Sequence, residues 1–113
     1  MGYEIHIHRR DHWADDGADI SMEEWLAYCR TDDTLRAEGT ITFATEDGDE
    51  VEGPVMAWGP EGAGAAFYHY RGAVTTKLTS DAVAAKASQI AQVMGARAQG
   101  DEGEVYDTDG VGR

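Results

Sequence analysis

The feature that most constrains this fold is a run of four strand-like segments with short connections between them. Hydrophobic and polar side chains alternate in residues 40–45, and residues 51–58 return as a partner after the turn sequence EDGD. Residues 65–70 and 73–78 flank Arg71-Gly72, a two-residue turn sequence. Alternation of this kind predicts β-strands, and strands joined by tight turns pair in antiparallel orientation. The sequence therefore predicts a sheet built from hairpins.

A capping box marks the start of a first helix ahead of this run. Ser21 is a favourable N-cap and Glu24 follows three residues later, while Ile20 and Trp25 stand at the positions that pack together as a hydrophobic staple. This helix is expected to end near Thr31. A second helix follows the run, and Ser80 is its N-cap. Its apolar stripe is formed by Val83, Ala87, Ile90 and Met94.

The order of these elements predicts the fold class. Residues 3–8 alternate as a first strand, and residues 104–106 are expected to form a short last strand. The order β-α-β-β-β-β-α-β predicts an α+β protein with a mostly antiparallel sheet of about 4–6 strands and two helices packed on one face. Residues 1–106 are expected to form a single α+β domain, and residues 107–113 a frayed acidic C-terminal tail.

The negative charge of the chain is concentrated in its first half. The 113 residues include 22 Asp and Glu against 9 Lys and Arg, and residues 11–61 hold 15 of the acidic side chains and two of the basic ones. Nucleic acids and anionic membranes are disfavoured as partners, because phosphate contacts need clustered Lys and Arg. A basic protein partner fits this field. A GC-rich or salt-adapted composition explains the same acidity without any partner.

Composition also bears on the compartment. Cys29 is the single cysteine, so no internal disulfide forms, and the N-terminal sequence MGYEIHIHRR lacks the apolar core of a secretory signal. No window approaches the ~18 consecutive apolar residues that suggest a membrane span. These features predict a cytoplasmic protein.

Three histidines are the main candidate metal ligands, and Asp11 and His12 lie just beyond the first predicted strand. His6 and His8 project from one face of the first predicted strand, and His69 lies in another strand. A zinc site needs three or four converging ligands, and the H-x-H pattern alone does not supply them. The spacing favours solvated histidines on the sheet face away from the helices, or a contact there between two copies of the chain. A His-based metal- or ligand-binding protein is one alternative.

No sequence motif supports catalysis or a cofactor. Cys29 falls on the apolar stripe of the first helix, where a buried thiol has a raised pKa and acts as a small hydrophobic group. The acidic turns TEDGDE and DTDG lack the ligand spacing of a calcium loop. The chain has no nucleophile elbow, phosphate-binding glycine loop or HExxH sequence. We therefore predict a non-enzymatic protein with no cofactor, and we assign no catalytic or metal-binding residues.

Four segments together carry a resemblance to a known group of proteins: YEIHIHRRDHW, ISMEEWLAYCRTDDTLR, YHYRGAVTTKL and MGARAQGDEGEVYD. They resemble a widespread family of small bacterial proteins that has no assigned activity. The resemblance implies no catalytic residues. Small acidic α+β proteins of this size are also similar in style to immunity proteins, which neutralise bacterial toxins.

These observations predict a protein-binding module, in its most specific form an immunity-type inhibitor of a basic bacterial toxin. Its carboxylates would pair with the Lys and Arg of the partner. A structural homodimer of unknown role, joined through the sheet face away from the helices or an edge strand, is another alternative. The predicted partner-binding residues are Asp15, Asp16, Glu23, Glu46, Asp47, Asp49, Glu50 and Glu52, with Trp13 and Trp58 as aromatic anchors.

Overall fold

The computed structural model describes residues 3–15, 20–44, 47–59 and 65–113, and these ranges confirm the α+β fold and the predicted order of elements. Their strands form one sheet in the order β2-β3-β4-β5-β1-β6, and each neighbouring pair is antiparallel. The elements are β1 Glu4–His8, α1 Met22–Thr31, β2 Leu35–Ala44, β3 Glu50–Trp58, β4 Ala65–Tyr70, β5 Ala73–Lys77, α2 Asp81–Val93 and β6 Arg97–Gly100.

Both helices begin at the predicted N-cap residues, Ser21 and Ser80. The Ser21 hydroxyl accepts the backbone N–H of Glu24, and the Glu24 carboxylate accepts the backbone N–H of Ser21, so the capping box is complete. The Ser80 hydroxyl accepts the backbone N–H of Val83 at the start of α2. No helix in the described ranges is long and apolar enough to cross a membrane.

The Arg71-Gly72 turn also forms as predicted. Arg71 and Gly72 both have positive φ angles, of 50° and 77°, between the paired strands β4 and β5. Two consecutive positive φ angles are the mark of a type I′ turn, whose twist matches that of the strands it joins. This local match explains why the hairpin could be read from the sequence.

Both helices pack on one face of the sheet, as predicted. Ile7 pairs with Val74, and Thr76 pairs with both Ile5 and Phe67, so these side chains share a face. All of them are fully buried, and the apolar ones belong to one hydrophobic cluster with residues of both helices. The cluster includes Ile5, Ile7, Ile20, Trp25, Met56, Phe67, Val74, Ala84, Ala87 and Ile90.

A buried ion pair joins the two helices. The Lys86 ammonium on α2 donates to the carboxylate of Asp32, the C-cap of α1, at 2.6 Å, and the two side chains are 9% and 10% exposed. The same carboxylate accepts the Tyr28 hydroxyl at 2.6 Å and the backbone N–H of Thr34 at 3.0 Å. Burial opposes ionisation of Asp32, but these donors outweigh it and hold the pKa of the carboxyl below its ordinary 3.8.

The last strand lies earlier in the chain than predicted. β6 is Arg97–Gly100, whereas Val105 and Tyr106 form only isolated bridges, to Gln99 and Gly112. The β6 sequence RAQG has low strand propensity. It is a strand because β1 supplies its hydrogen-bonding partner, and pairing of this kind overrides local preference.

Residues 107–113, predicted to be a frayed tail, form a hydrogen-bonded turn. Val105 and Arg113 exchange both backbone hydrogen bonds, and the Asp107 carboxylate accepts the N–H groups of Asp109 and Val111. Gly110 packs so closely on α2 that an added Cβ would lie 2.4 Å from the Asp81 carbonyl oxygen. The aspartate that suggested solvation instead satisfies the amides of the turn.

Candidate partner-binding site

The far end of the β2–β3 hairpin forms a two-stranded arm. Within the described part of the chain, residues 40–44 and 50–54 pair only with each other, because β4 pairs with β3 only from Val55 onward. We call residues 40–44 and 47–54 the acidic arm. A two-stranded ribbon is marginally stable on its own, and one point of support is visible: the Met22 methyl of α1 lies 3.4 Å from the position a Cβ would take on Gly53.

One face of the acidic arm is exposed and carries negative charge. Thr42 pairs with Glu52 and Ala44 pairs with Glu50, so these side chains share a face, and all four residues are exposed. Asp47 and Asp49 are exposed in the turn. Residues 37–70 contain seven acidic residues and neither lysine nor arginine. No lysine or arginine therefore lies between the carboxylates of the arm along the chain.

The structure places several predicted partner-binding residues on this arm or next to it. Asp47, Asp49, Glu50 and Glu52 all belong to it. Exposed Glu23 is in the first turn of α1, directly after the Met22 that contacts the arm. Trp58, at the base of β3, is half-buried against the hydrophobic core. Asp16 and Glu46 lie outside the described residues.

The other predicted residues belong to a different part of the molecule. Asp15 and Trp13 follow β1, which stands four strands from β2, roughly 19 Å across the sheet. Trp13 stacks on the His6 ring at 4.1 Å between centroids, and its indole N–H donates to the Asp101 carbonyl oxygen at 3.3 Å. Trp13 thus packs against residues of its own chain.

A second polar cluster lies under this loop, on the sheet face away from the helices. His8 is fully buried, and its Nδ1 accepts the backbone N–H of Arg10 at 3.0 Å. The ring proton is therefore on Nε2, which donates to Gln99 Oε1 at 2.8 Å. Gln99 Oε1 also accepts the backbone N–H of Trp13, and its Nε2 donates to the Gly103 carbonyl. Gln99 thereby ties β1, the following loop and the C-terminal segment together.

The sequence interpretation of the first two histidines was wrong about their environment. They do face away from the helices, but they are buried rather than solvated. His6 lies between Trp13 and Asp101, whose Oδ1 is 2.7 Å from His6 Nε2. Trp13, a large aromatic residue in the polar loop just after the first strand, was the sequence signal that this face is covered. Gln99 carried no signal, because its role comes from pairing across 91 residues.

The three histidines do not converge on a metal. His69 pairs with Val74, which pairs with Ile7, so His69 shares the helix-covered face and lies opposite His6 and His8. Its Nε2 is 2.6 Å from the Ile20 carbonyl oxygen. Within the residues described, no group of three His, Cys, Asp or Glu side chains could hold a metal ion. This geometry contradicts a site built from His6, His8 and His69.

Cys29 is half-buried against the core, and burial together with the nearby Asp32 raises the pKa of its thiol to about 12. A thiol with this pKa is protonated at neutral pH and is a poor nucleophile. The environment agrees with the packing role expected from its place on the α1 stripe.

Stability should decrease as the pH falls below about 6.5, because of His8. Burial, and then the charges of Arg97 and Arg10, lower the pKa of His8 below its ordinary 6.5, against the effect of its hydrogen bond to Gln99. Below pH 6.5 the unfolded chain binds a proton that the folded chain does not, so the free energy of unfolding decreases there until the folded pKa is reached. The expected contribution approaches about 1.4 kcal/mol per pH unit.

Urea unfolding between pH 7.5 and 5 measures this slope. The variant His8→Gln has no titrating ring at this position and should show a smaller slope than the parent chain. Equal slopes in the parent and His8→Gln would show that another group is responsible.

No protein-family model, curated protein or solved structure matches this chain. The resemblance to a family of small bacterial proteins therefore stays a prediction.

Proposed function

We propose that this chain is a non-catalytic protein-binding module, and that its acidic arm binds a basic protein. The observation that supports the proposal is the exposed acidic face of the arm, in a segment of 34 residues without lysine or arginine. The carboxylates of Glu50 and Glu52 lie on this exposed face, where a partner's cations can reach them. Such complementarity speeds association and suppresses wrong partners.

The most specific form of the proposal is an immunity-type inhibitor of a basic bacterial toxin. A protein that handles nucleic acid carries Lys and Arg to hold phosphates. The carboxylates of the arm would occupy those cations and block access of the substrate. Asp47, Asp49, Glu50 and Glu52 are the residues we assign to this contact, with Glu23 at its border.

Paired charge-reversal variants test the proposal. Glu50→Lys/Glu52→Lys changes the arm, and Glu102→Lys/Asp109→Lys makes the same change in net charge at exposed positions near the C-terminus. Tagged parent and variant chains are incubated with lysate at low salt, and retained proteins are eluted with a salt gradient and identified. We expect the parent and the C-terminal variant to retain the same basic protein, and the arm variant to bind it at least tenfold more weakly.

The same purified partner then decides between the general and the specific form. Inhibition of a nuclease or other toxic activity by the parent chain, lost in the arm variant, supports the inhibitor. Equal weakening by both double variants would show that net charge alone matters, and full retention by the arm variant would exclude the arm as the site.

A further inference from the structure

The two edge strands of the sheet differ in whether another segment of the chain bonds to them. At one edge, the C-terminal segment folds over β6: Gly100 donates its N–H to the Glu104 carbonyl at 2.8 Å, and Tyr106 donates to Ala98 at 2.8 Å. At the other edge, β2 has one strand neighbour among the described residues, which is β3. An uncovered edge strand offers a row of backbone donors and acceptors to another chain.

The outer half of β2 lacks the usual protection of such an edge. A β-bulge between Ala37 and Thr40, with Gly39 at a φ of 83°, interrupts the strand and protects its inner half. Residues 40–44 beyond it pair regularly with β3. Their sequence TITFA contains neither charge nor proline, and most of its residues favour strands. Within the part of the chain that the structure describes, no strand pairs with the outer side of these five regular, uncharged residues.

Charge selects what could occupy this edge. The Thr40 hydroxyl donates to Glu52 Oε1 at 2.7 Å, so the Glu52 carboxylate leans from β3 toward β2. Glu50 lies two residues earlier on the same exposed face. A strand added to β2 would lie about 4.8 Å from it and about 10 Å from β3, a gap that long Lys and Arg side chains can span. A second copy of this hairpin fits poorly, because it would bring carboxylates together.

We propose that the partner adds an extended, lysine- or arginine-rich strand to the edge of β2 along residues 40–44. This rests on the proposed function and deepens it by naming the form in which the basic partner binds. Backbone hydrogen bonds supply the affinity, and alternate cationic side chains over Glu50 and Glu52 supply the selectivity, as in other cases of strand addition.

Two synthetic peptides of equal charge test the mode of binding. The first is a capped nonapeptide of alternating lysine and threonine. The second has the same sequence with every lysine and threonine N-methylated on the backbone, which removes the donors whichever alternate set faces β2 and keeps all the charges. Amide chemical shifts of the full chain are followed during titration with each peptide. We expect the unmethylated peptide to bind at least tenfold more tightly and to shift and protect the amides of residues 40–44.

Charge variants separate failure of this inference from failure of the proposed function. Glu50→Lys/Glu52→Lys should lose binding of the unmethylated peptide, and Glu102→Lys/Asp109→Lys should keep it. Equal binding of the two peptides to the arm would overturn strand addition and leave the acidic arm as a binding site. Shifts that map elsewhere, or no binding of either peptide, would also overturn it. The capture experiment with lysate tests the arm independently, because it requires charge and makes no assumption about strand pairing.

Discussion

Replacing Lys86 with methionine should lower the free energy of unfolding by about 3 kcal/mol. The substitution keeps most of the side-chain volume and removes the ammonium that neutralises Asp32. The carboxylate would then be buried with donors from Tyr28 and Thr34 but without its counter-charge. Removing one member of a buried ion pair lowers the free energy of unfolding by more than the pair as a whole contributes to it, because an uncompensated buried charge remains.

The other lysine of the chain, Lys77, offers a matched control because it is exposed on β5. Lys77→Met should change stability by less than about 0.5 kcal/mol. Denaturant unfolding at pH 7 measures both. Adding Asp32→Asn to Lys86→Met should recover part of the loss, and the recovery reports the coupling of the pair. A loss no greater than that of Lys77→Met would show that the pair contributes nothing to the joint between the helices.

Gly110→Ala should destabilise the protein by about 2–4 kcal/mol. An alanine there meets two obstacles: a φ of 82°, which L-residues rarely adopt, and the Asp81 carbonyl oxygen at 2.4 Å from the new Cβ. The clash is with backbone at the start of α2, so the turn must open or move away from the helix.

Gly48→Ala separates these two obstacles. Gly48 has a similar φ of 85° and no atom within 4 Å of an added Cβ. Gly48→Ala should therefore lower the free energy of unfolding by about 1 kcal/mol, which is the cost of a positive φ angle alone. Thermal or denaturant unfolding measures both variants, and hydrogen exchange at residues 105–113 shows whether the turn has opened. Equal losses for the two glycines would mean that the C-terminal turn does not pack on α2 in solution.

The parts of the fold that were predictable are those that neighbouring residues decide. Ser21 and Glu24 satisfy each other's backbone within one turn, and Arg71-Gly72 adopts its turn with no help from distant residues. The acidic hairpin was predictable for the same reason. The place of β2 at the edge of the described sheet was not, because it depends on how all the other strands pair.

The parts that could not be predicted depend on partners far along the chain. β6 was placed about seven residues too late, because RAQG becomes a strand only beside β1. The burial of His8 required Gln99, and the order of Asp107–Arg113 required the α2 surface around Asp81. Periodicity correctly assigned His6 and His8 to a face, but it carried no information about what covers that face.

The position of β1 has a consequence for how the chain reaches its native state. β1 is inserted between β5 and β6, so both of its partners are supplied by residues 73–100. During synthesis, Ile5 and Ile7 therefore have no strand to pair with until β5, which ends at Lys77 of these 113 residues, has emerged. The β2–β3 and β4–β5 hairpins close over short loops and can form earlier. Pairing of β1 is thus expected to be a late event in folding, after these two hairpins have formed.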